Sequence, residues 1–268
     1  MQKNPKFDVE CDFCSAKKLE DIILLRFKSK ENLLLKATDL NFRDKVIDYL
    51  GRISRSDSIK VVVIVRSADK TGSAEYFNFY QHALKKKWDS FPIHRIHNVF
   101  AQFIMKIINL NKIVIHAHSG PVISLFLNVS LACDYRIVAD NTVYQNPYLK
   151  LGLLPIGGGA FFLPKMLGSS KAYEILLSEN DITAQEALKI GIVDEIVAPD
   201  RVEEAALKAA RHFAQKPLRS LAGVKKLINY SMKDLKDYME LENQELIRIV
   251  EAGNCQDSNP NISRITHF

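Results

Sequence analysis

Apolar residues recur along this chain in two modes, short unbroken runs and stripes spaced three and four apart. Ile22-Ile23-Leu24-Leu25-Arg26-Phe27 reads as a strand, and Asn32-Leu33-Leu34-Leu35 as a second, although that leucine run suits a helix equally. Between Leu40 and Ile53, the spacing of Val46, Ile47, Leu50 and Ile53 predicts an amphipathic helix that ends near Gly51 to Ser58. Val61-Val62-Val63-Ile64-Val65 is β-branched without interruption, the pattern of a strand covered on both faces. Strand, helix and buried strand together predict a parallel β-α-β layout.

The pattern then changes character. Tyr76 to Phe91 is aromatic and basic, with Phe77, Phe79, Tyr80 and Trp88 beside Lys85, Lys86 and Lys87; it reads as a lid or pocket wall, or as an aromatic helix face over solvated lysines. Val99 to Leu110 predicts an amphipathic helix, Lys112 to Ile115 a buried strand, Leu125 to Ala132 a helix, and Asp134 to Val138 another strand. After the Pro/Gly-rich passage Leu153 to Gly159, helices are predicted over Ala160 to Leu167 and Ser170 to Leu177, separated by Gly168. Thr183 to Ile190 carries a capping-box signature, with Thr183 as N-cap, Glu186 three residues on and Gly191 as the stop. Beyond Pro199 the chain reads as charged helices over Val202 to Ala214 and Ser231 to Glu251, and Asn254 to Phe268 as a loosely held polar tail.

Length and charge narrow the picture. A chain of 268 residues with 47% hydrophobic and 25% charged content can bury a large core, and one globular domain with an appendage is the economical reading. The net charge of +6 comes from dispersed lysines and arginines rather than a basic arm, so a phosphorylated small ligand fits better than nucleic acid. Met1 to Glu10 lacks an apolar signal core, and the expectation is a cytoplasmic protein. Ile113 to Cys133 is uncharged and has roughly the length of a membrane span, yet His116, His118 and the Gly120-Pro121 break predict a buried strand, turn and helix instead, with no membrane partner.

Candidate chemistry comes in pieces. Cys11 and Cys14 form a C-x-x-C pair with no second pair or histidine partner at metal spacing, so two thiols in a mobile N-terminal arm outweigh a zinc or redox role; Cys133 reads as packing. His116 and His118 share one face of a strand, without a third ligand in sight, and read as packed or hydrogen-bonded histidines; no metal site is expected. His82, His94 and His97 fall on the aromatic segment, where a pocket base can sit but surface histidines are commoner. Gly157-Gly158-Gly159 before a helix is like a phosphate cradle, but no Gly-Lys-Ser/Thr follows it.

Several of these pieces stand in a familiar order. Asn111 to Ile115 before Gly120, Ala132-Cys133-Asp134-Tyr135-Arg136-Ile137, Pro147 with Leu151 to Gly159, Leu163 to Gly168, Ile182 to Ala187 and Gly191 to Asp194 together resemble the crotonase (enoyl-CoA hydratase/isomerase) superfamily. The resemblance extends weakly from Ile22 into the C-terminal helices. It implies an α/β fold, a crotonase-like ββα spiral over residues 21–198, preceded by a flexible arm (1–20) and followed by a C-terminal helical oligomerisation region (199–268). Homo-trimers, often paired into hexamers, are implied, as is an acyl thioester on coenzyme A or acyl-carrier protein as partner. No cofactor is implied beyond coenzyme A as part of the substrate.

The family's shared device is a pair of backbone N–H groups that hold the thioester oxygen. Matching the motifs residue by residue puts Phe77 N–H and Leu125 N–H there, with Leu125 in Ser124-Leu125-Phe126 where the family has three glycines. The family's two catalytic glutamates match Asn128 and Tyr148, and Tyr76, Gly157 and Gly158 match the substrate pocket. An amide takes up no proton, and a phenol with a pKa of ~10 is a poor base at neutral pH. The resemblance therefore implies a thioester-binding scaffold with non-hydratase chemistry such as isomerisation, decarboxylation or thioester cleavage, or alternatively a catalytically inactive binding or assembly subunit. Tyr148 then either donates a proton to an enolate or fills the space of the glutamate.

Overall fold

A computed structural model describes residues 6–12, 14–28, 33–67, 73–85 and 91–252. Seven strands form the principal sheet in the order β1 (Val9–Glu10), β2 (Cys14–Leu19), β3 (Ile22–Phe27), β4 (Val61–Ser67), β5 (Ile113–Ser119), β7 (Tyr135–Ala139), β10 (Glu195–Val197). From β3 to β10 all neighbours are parallel, and β1, β2 and β3 form an antiparallel meander at the edge. A second sheet of three short strands, β6 (Pro121–Ile123), β8 (Val143–Gln145) and β9 (Ile182–Thr183), receives the chain after it leaves the first.

The uninterrupted runs are strands because both faces are covered. On one face Ile22, Leu24, Val61, Val63, Ile115, Ala117 and Ile137 pack under α9 (Val202–Ala214), whose Ala206, Ala210 and Ala214 lie one turn apart and let the helix sit close. On the other, Ile23, Leu25, Val62, Ile64, Val114 and Val138 meet α2 (Leu40–Ser54), α4 (Phe91–Ile108) and α5 (Ser124–Leu131). Side chains of the second parity include Arg66, His116, His118 and Arg136, all buried. This polar parity faces the candidate site.

Local signals account for several helix ends. Asp39 caps α2 by accepting from Asn41 N and Phe42 N, and Thr183 with Glu186 closes a complete capping box on α8 (Ala184–Ile190), which Gly191 ends at φ +85. Glycines also frame α6 (Gly159–Leu167), with Gly158 before it and Gly168 between it and α7 (Ser169–Leu177).

Three expectations are corrected and one is narrowed. The stretch read as a loose arm pairs into the sheet, with Cys14 to Leu19 in register against Phe27 to Ile22, because Cys14 and Ala16 alternate inward beside Leu25. The leucine run is a helix, α1 (Leu33–Ala37), not a strand, and Leu34 is fully buried in it. The aromatic segment takes the helical form of its two readings, as α3 (Ser73–Lys85) followed by the start of α4 at Phe91; Lys86, Lys87 and Trp88 lie outside the described residues, as does the tail from Asn254. Between α9 and α11 (Leu235–Glu251) a further helix, α10 (Leu218–Ile228), starts directly after Pro217. Among the described residues, no helix is long and apolar enough to cross a membrane.

Candidate active site

Gly120, at φ +74, turns the chain out of β5 into β6, and α5 begins directly after that three-residue strand. Every residue of α5 is buried, and its N-cap, Ile123, offers no side chain to the first turn. A helix leaves its first N–H groups without intrahelical acceptors, so the amides at Ser124, Leu125 and Phe126 form a buried donor cluster for an oxygen. Leu125 N–H is thus at a position where an oxyanion donor can work. Its side chain points a consequence out as well: a Cβ on Gly157 would come within 2.9 Å of Leu125 Cδ1, so the leucine closes over the glycine loop.

Phe77 differs in its placement. As the fifth residue of α3 its N–H bonds, in a regular helix, to the carbonyl of Ser73. That amide belongs to the helix's own ladder, unlike the first-turn amide of Leu125. Tyr76 is 2% exposed and stacks on Tyr80 with centroids 4.4 Å apart.

Asn128 lies one turn beyond Leu125 and is held fast. Its Nδ2 donates to Ile156 O at 2.8 Å, and a Cβ on Gly159 would stand 2.9 Å from both Nδ2 and Oδ1. Only glycine at 159 lets the backbone lie against this amide. Tyr148 is 1% exposed and its hydroxyl donates to Leu176 O at 2.6 Å, at the end of α7; burial pushes the phenol well above its usual range. Both side chains expected as catalytic are therefore hydrogen-bonded to main-chain carbonyls, Asn128 to Ile156 and Tyr148 to the end of α7.

Gly157 and Gly158 have φ +88 and +83, and consecutive left-handed residues turn their N–H groups into one concavity that suits an anion. A side chain of this chain fills it. Glu242, from α11, accepts from Gly157 N at 2.7 Å and Gly158 N at 3.0 Å, and His97 Nε2 from α4 lies 3.1 Å from its Oε1. The two amides expected to meet substrate meet Glu242 instead. Glu242 is 4% exposed and also hydrogen-bonds with Tyr238, whose phenol is pushed upward by burial and then by this carboxylate.

A second polar cluster lies on the inner face of the sheet. Arg66, at the end of β4, stacks over the Phe126 ring at 3.7 Å and faces Glu75 of α3 at 3.9 Å. Burial lowers its guanidinium to about 10, against the opposing pull of Glu75, which also accepts from Leu34 N at 2.9 Å. The Nδ1 atoms of His116 and His118 are 3.2 Å apart, and His118 Nε2 lies 2.9 Å from Tyr144 Oη. Burial, with Arg66 and Arg136 nearby, lowers His116 to about 3, and burial with His116 and Arg66 holds His118 well below its usual value. Both imidazoles are neutral at physiological pH, and among the described residues no group of three or more His, Cys, Asp or Glu is placed to hold a metal. Arg66, His116 and Phe126 border a narrow apolar cavity of about 80 Å³ shared with Phe100, Phe103 and Val129.

Glu242 and Arg66 went unnoticed in the sequence, although each leaves a trace there. Leu235, Met239, Glu242 and Leu246 follow a four-three-four spacing, so a carboxylate stands in an otherwise apolar buried stripe. Arg66 shares the parity of Val62 and Ile64 at the end of a strand covered on both faces.

The profile of one family, described as enoyl-CoA hydratase/isomerase, matches residues 20–258. The chain belongs to this family. A probable enoyl-CoA hydratase (echA17) of Mycolicibacterium paratuberculosis is 32% identical over 148 residues, 55% of this chain and 58% of that protein. A carnitinyl-CoA dehydratase of Salmonella arizonae is 32% identical over 124 residues, 46% of this chain and 48% of that protein. The matched stretches thus span about half the length of these curated relatives. Among solved structures, an enoyl-CoA hydratase from Bacillus halodurans superposes with a TM-score of 0.77 at 18% identity, covering 91% of this chain and 97% of that one. Pseudomonas aeruginosa DspI gives 0.70 at 21% identity, covering 98% and 97%. These likenesses establish the crotonase fold across the α/β core and C-terminal helices of this family member.

Proposed function

We propose that this enoyl-CoA hydratase/isomerase family member binds an acyl thioester, carried by coenzyme A or an acyl-carrier protein, without hydrating it. The observation that carries this reading is the engagement of Asn128 and Tyr148. Hydration needs one group to take a proton from water and another to protonate carbon. The amide of Asn128 is tied to Ile156 O, and the hydroxyl of Tyr148 to Leu176 O. Neither side chain offers a base at neutral pH. The uncapped, buried first turn of α5 supports retention of an oxygen-binding amide at Leu125.

That same turn favours a second reading. Isomerisation, decarboxylation or thioester cleavage draws on a stabilised oxyanion, and a backbone donor supplies this whatever side chain it carries. Assembly as a trimer or hexamer is supported by α10 and the turn after it, which expose Val224, Leu227, Ile228 and Tyr230 to solvent as a run of large apolar side chains.

Titration of the purified full-length chain with coenzyme A and butyryl-CoA, followed by crotonyl-CoA hydration and an acyl-CoA turnover panel, tests both readings. Saturable binding with no hydration and no turnover is the expected result. Turnover of any panel member without hydration selects the second reading. Hydration at a typical enzyme rate, or absence of binding at millimolar ligand, overturns the proposal.

A further inference from the structure

The N-terminal edge of the sheet carries a feature that thioester chemistry does not use. Strands β1 and β2 pair with Val9 opposite Ala16 and Glu10 opposite Ser15, so the next rung of the hairpin sets Cys11 against Cys14. Cys11 N donates to Cys14 O at 2.9 Å and closes that rung. Facing residues of an antiparallel pair have Cα atoms roughly 4.5–5.5 Å apart, inside the range a disulfide spans. The two Sγ atoms are 3.0 Å apart, and Cys14 N donates to Cys11 Sγ at 3.2 Å.

Strand alternation turns Val9, Cys11, Cys14 and Ala16 to one side, where they form one wall of a cavity of about 700 Å³ over α2. The opposite wall carries Lys45, Arg52 and Arg55 against a single carboxylate, Asp48. This is an apolar floor bearing two thiols under a cationic rim. Cys11 is half-buried and reaches the cavity, whereas Cys14 is 8% exposed. Burial and the neighbouring Cys11 push the Cys14 thiol up to about 12, so Cys14 is the less reactive of the two until Cys11 has been modified.

We propose that Cys11 and Cys14 form a thiol–disulfide exchange site for an anionic low-molecular-weight disulfide. Cys11, as thiolate, attacks one sulfur of the incoming disulfide; the Cys11–sulfur bond forms, the original S–S bond breaks, and one thiolate leaves. Cys14 then loses its proton and attacks Cys11 Sγ, forming the Cys11–Cys14 bond and expelling the second thiolate. Two protein thiols are oxidised, one small disulfide is reduced to two thiols, and the two cysteine protons pass to the released thiolates. The cationic rim selects carboxylate-bearing disulfides, and the product staples the edge hairpin. This inference is independent of the thioester reading.

The experiment uses the full-length chain under non-denaturing conditions, incubated over a range of oxidised to reduced glutathione ratios, quenched by alkylation and read by mass spectrometry with peptide mapping. The expected product has lost two hydrogens and contains a Cys11–Cys14 cross-link. Cys14→Ser is expected to accumulate one glutathione on Cys11, and Cys11→Ser to give no cross-link. Arg52→Gln combined with Arg55→Gln is expected to slow the reaction with oxidised glutathione by about tenfold while leaving that with uncharged 2-hydroxyethyl disulfide unchanged. Alkylation of both cysteines in the wild-type chain at excess oxidised glutathione overturns the proposal. So does a glutathione adduct that persists on wild-type Cys11, or equal slowing with the uncharged disulfide.

Discussion

The two faces of the seven-stranded sheet are built from the same strands and obey different rules. Beneath α9 the contacts are apolar, with Val61, Val63, Ile115 and Ala117 against a ladder of alanines. On the opposite face the same strands present Arg66, His116, His118 and Arg136, each buried. One residue of register separates the two sets. The apolar face holds the sheet to its helix largely by burial, with the Arg26–Glu203 ion pair at its margin. The polar face must find partners for what it hides, and it draws them from several elements: Glu75 of α3 for Arg66, Tyr144 of β8 for His118, and Cys133 O and Asp194 for Arg136. Polar groups kept in a core at such a desolvation cost mark the side on which a ligand is expected.

Acid is the strongest way to break this asymmetry. His116 and His118 have folded-state values below the reference of 6.5, His116 at about 3, so between these limits the unfolded chain binds protons that the folded chain does not. The contribution of His116 is complete above about pH 6.5 and is lost as pH falls toward 3, by up to about 1.4 kcal/mol per unit, and His118 adds a loss in the same direction. Urea midpoints measured from pH 8 to pH 4 are expected to fall along this slope in the wild type and to flatten in the His116→Gln, His118→Gln double variant. An unchanged slope in the double variant would assign the acid sensitivity elsewhere.

Next in size is Glu242→Ala. It strips acceptors from Gly157 N, Gly158 N and His97 Nε2 in a buried setting, and the expected loss is about 3–5 kcal/mol in denaturant unfolding. Glu242→Gln, which keeps one carbonyl acceptor, is expected to lose less. Equal losses would mean that the charge matters and the hydrogen bonds do not. On the opposite side of the sheet, Ala210→Leu tests packing alone: Ala210 is fully buried against the strands, and overfilling there is expected to cost about 1–3 kcal/mol with no change in pH dependence.

The same division explains what was legible in the sequence. The β-branched run at Val61 to Val65 and the capping box at Thr183 are local, and each forms the element its pattern predicts. The alternation of Cys14 and Ala16 was too short to stand out from an arm, and Leu33 to Ala37 took its helical form where the leucine run alone allowed either structure. At the site, the crotonase-like motifs located Leu125, Asn128, Tyr148 and Gly157 in the chain, yet their partners are Gly157, Ile156 O, Leu176 O and Glu242. Two of those four are main-chain carbonyls, which no residue identity announces. Glu242 is brought in by a helix 85 residues away and was visible only as a charge within an apolar stripe.

Tyr148→Phe gives the smallest expected effect and sharpens the comparison most, because it asks whether the polar side hydrogen-bonds for structure or for chemistry. The substitution removes one oxygen and leaves the ring in place. If the hydroxyl serves only to hold Leu176 O, its loss leaves one buried carbonyl without this donor and lowers stability by about 1 kcal/mol, a small shift of the urea midpoint. Acyl-CoA affinity and any turnover are then expected to match the wild type, since burial holds the phenol above its usual range and keeps it protonated at neutral pH. A phenol that protonates an enolate would behave in the opposite way, losing turnover with little change in stability. The two roles separate on the ratio of these effects, so a turnover loss exceeding the stability change would move Tyr148 from the packing of α7 to the reacting centre.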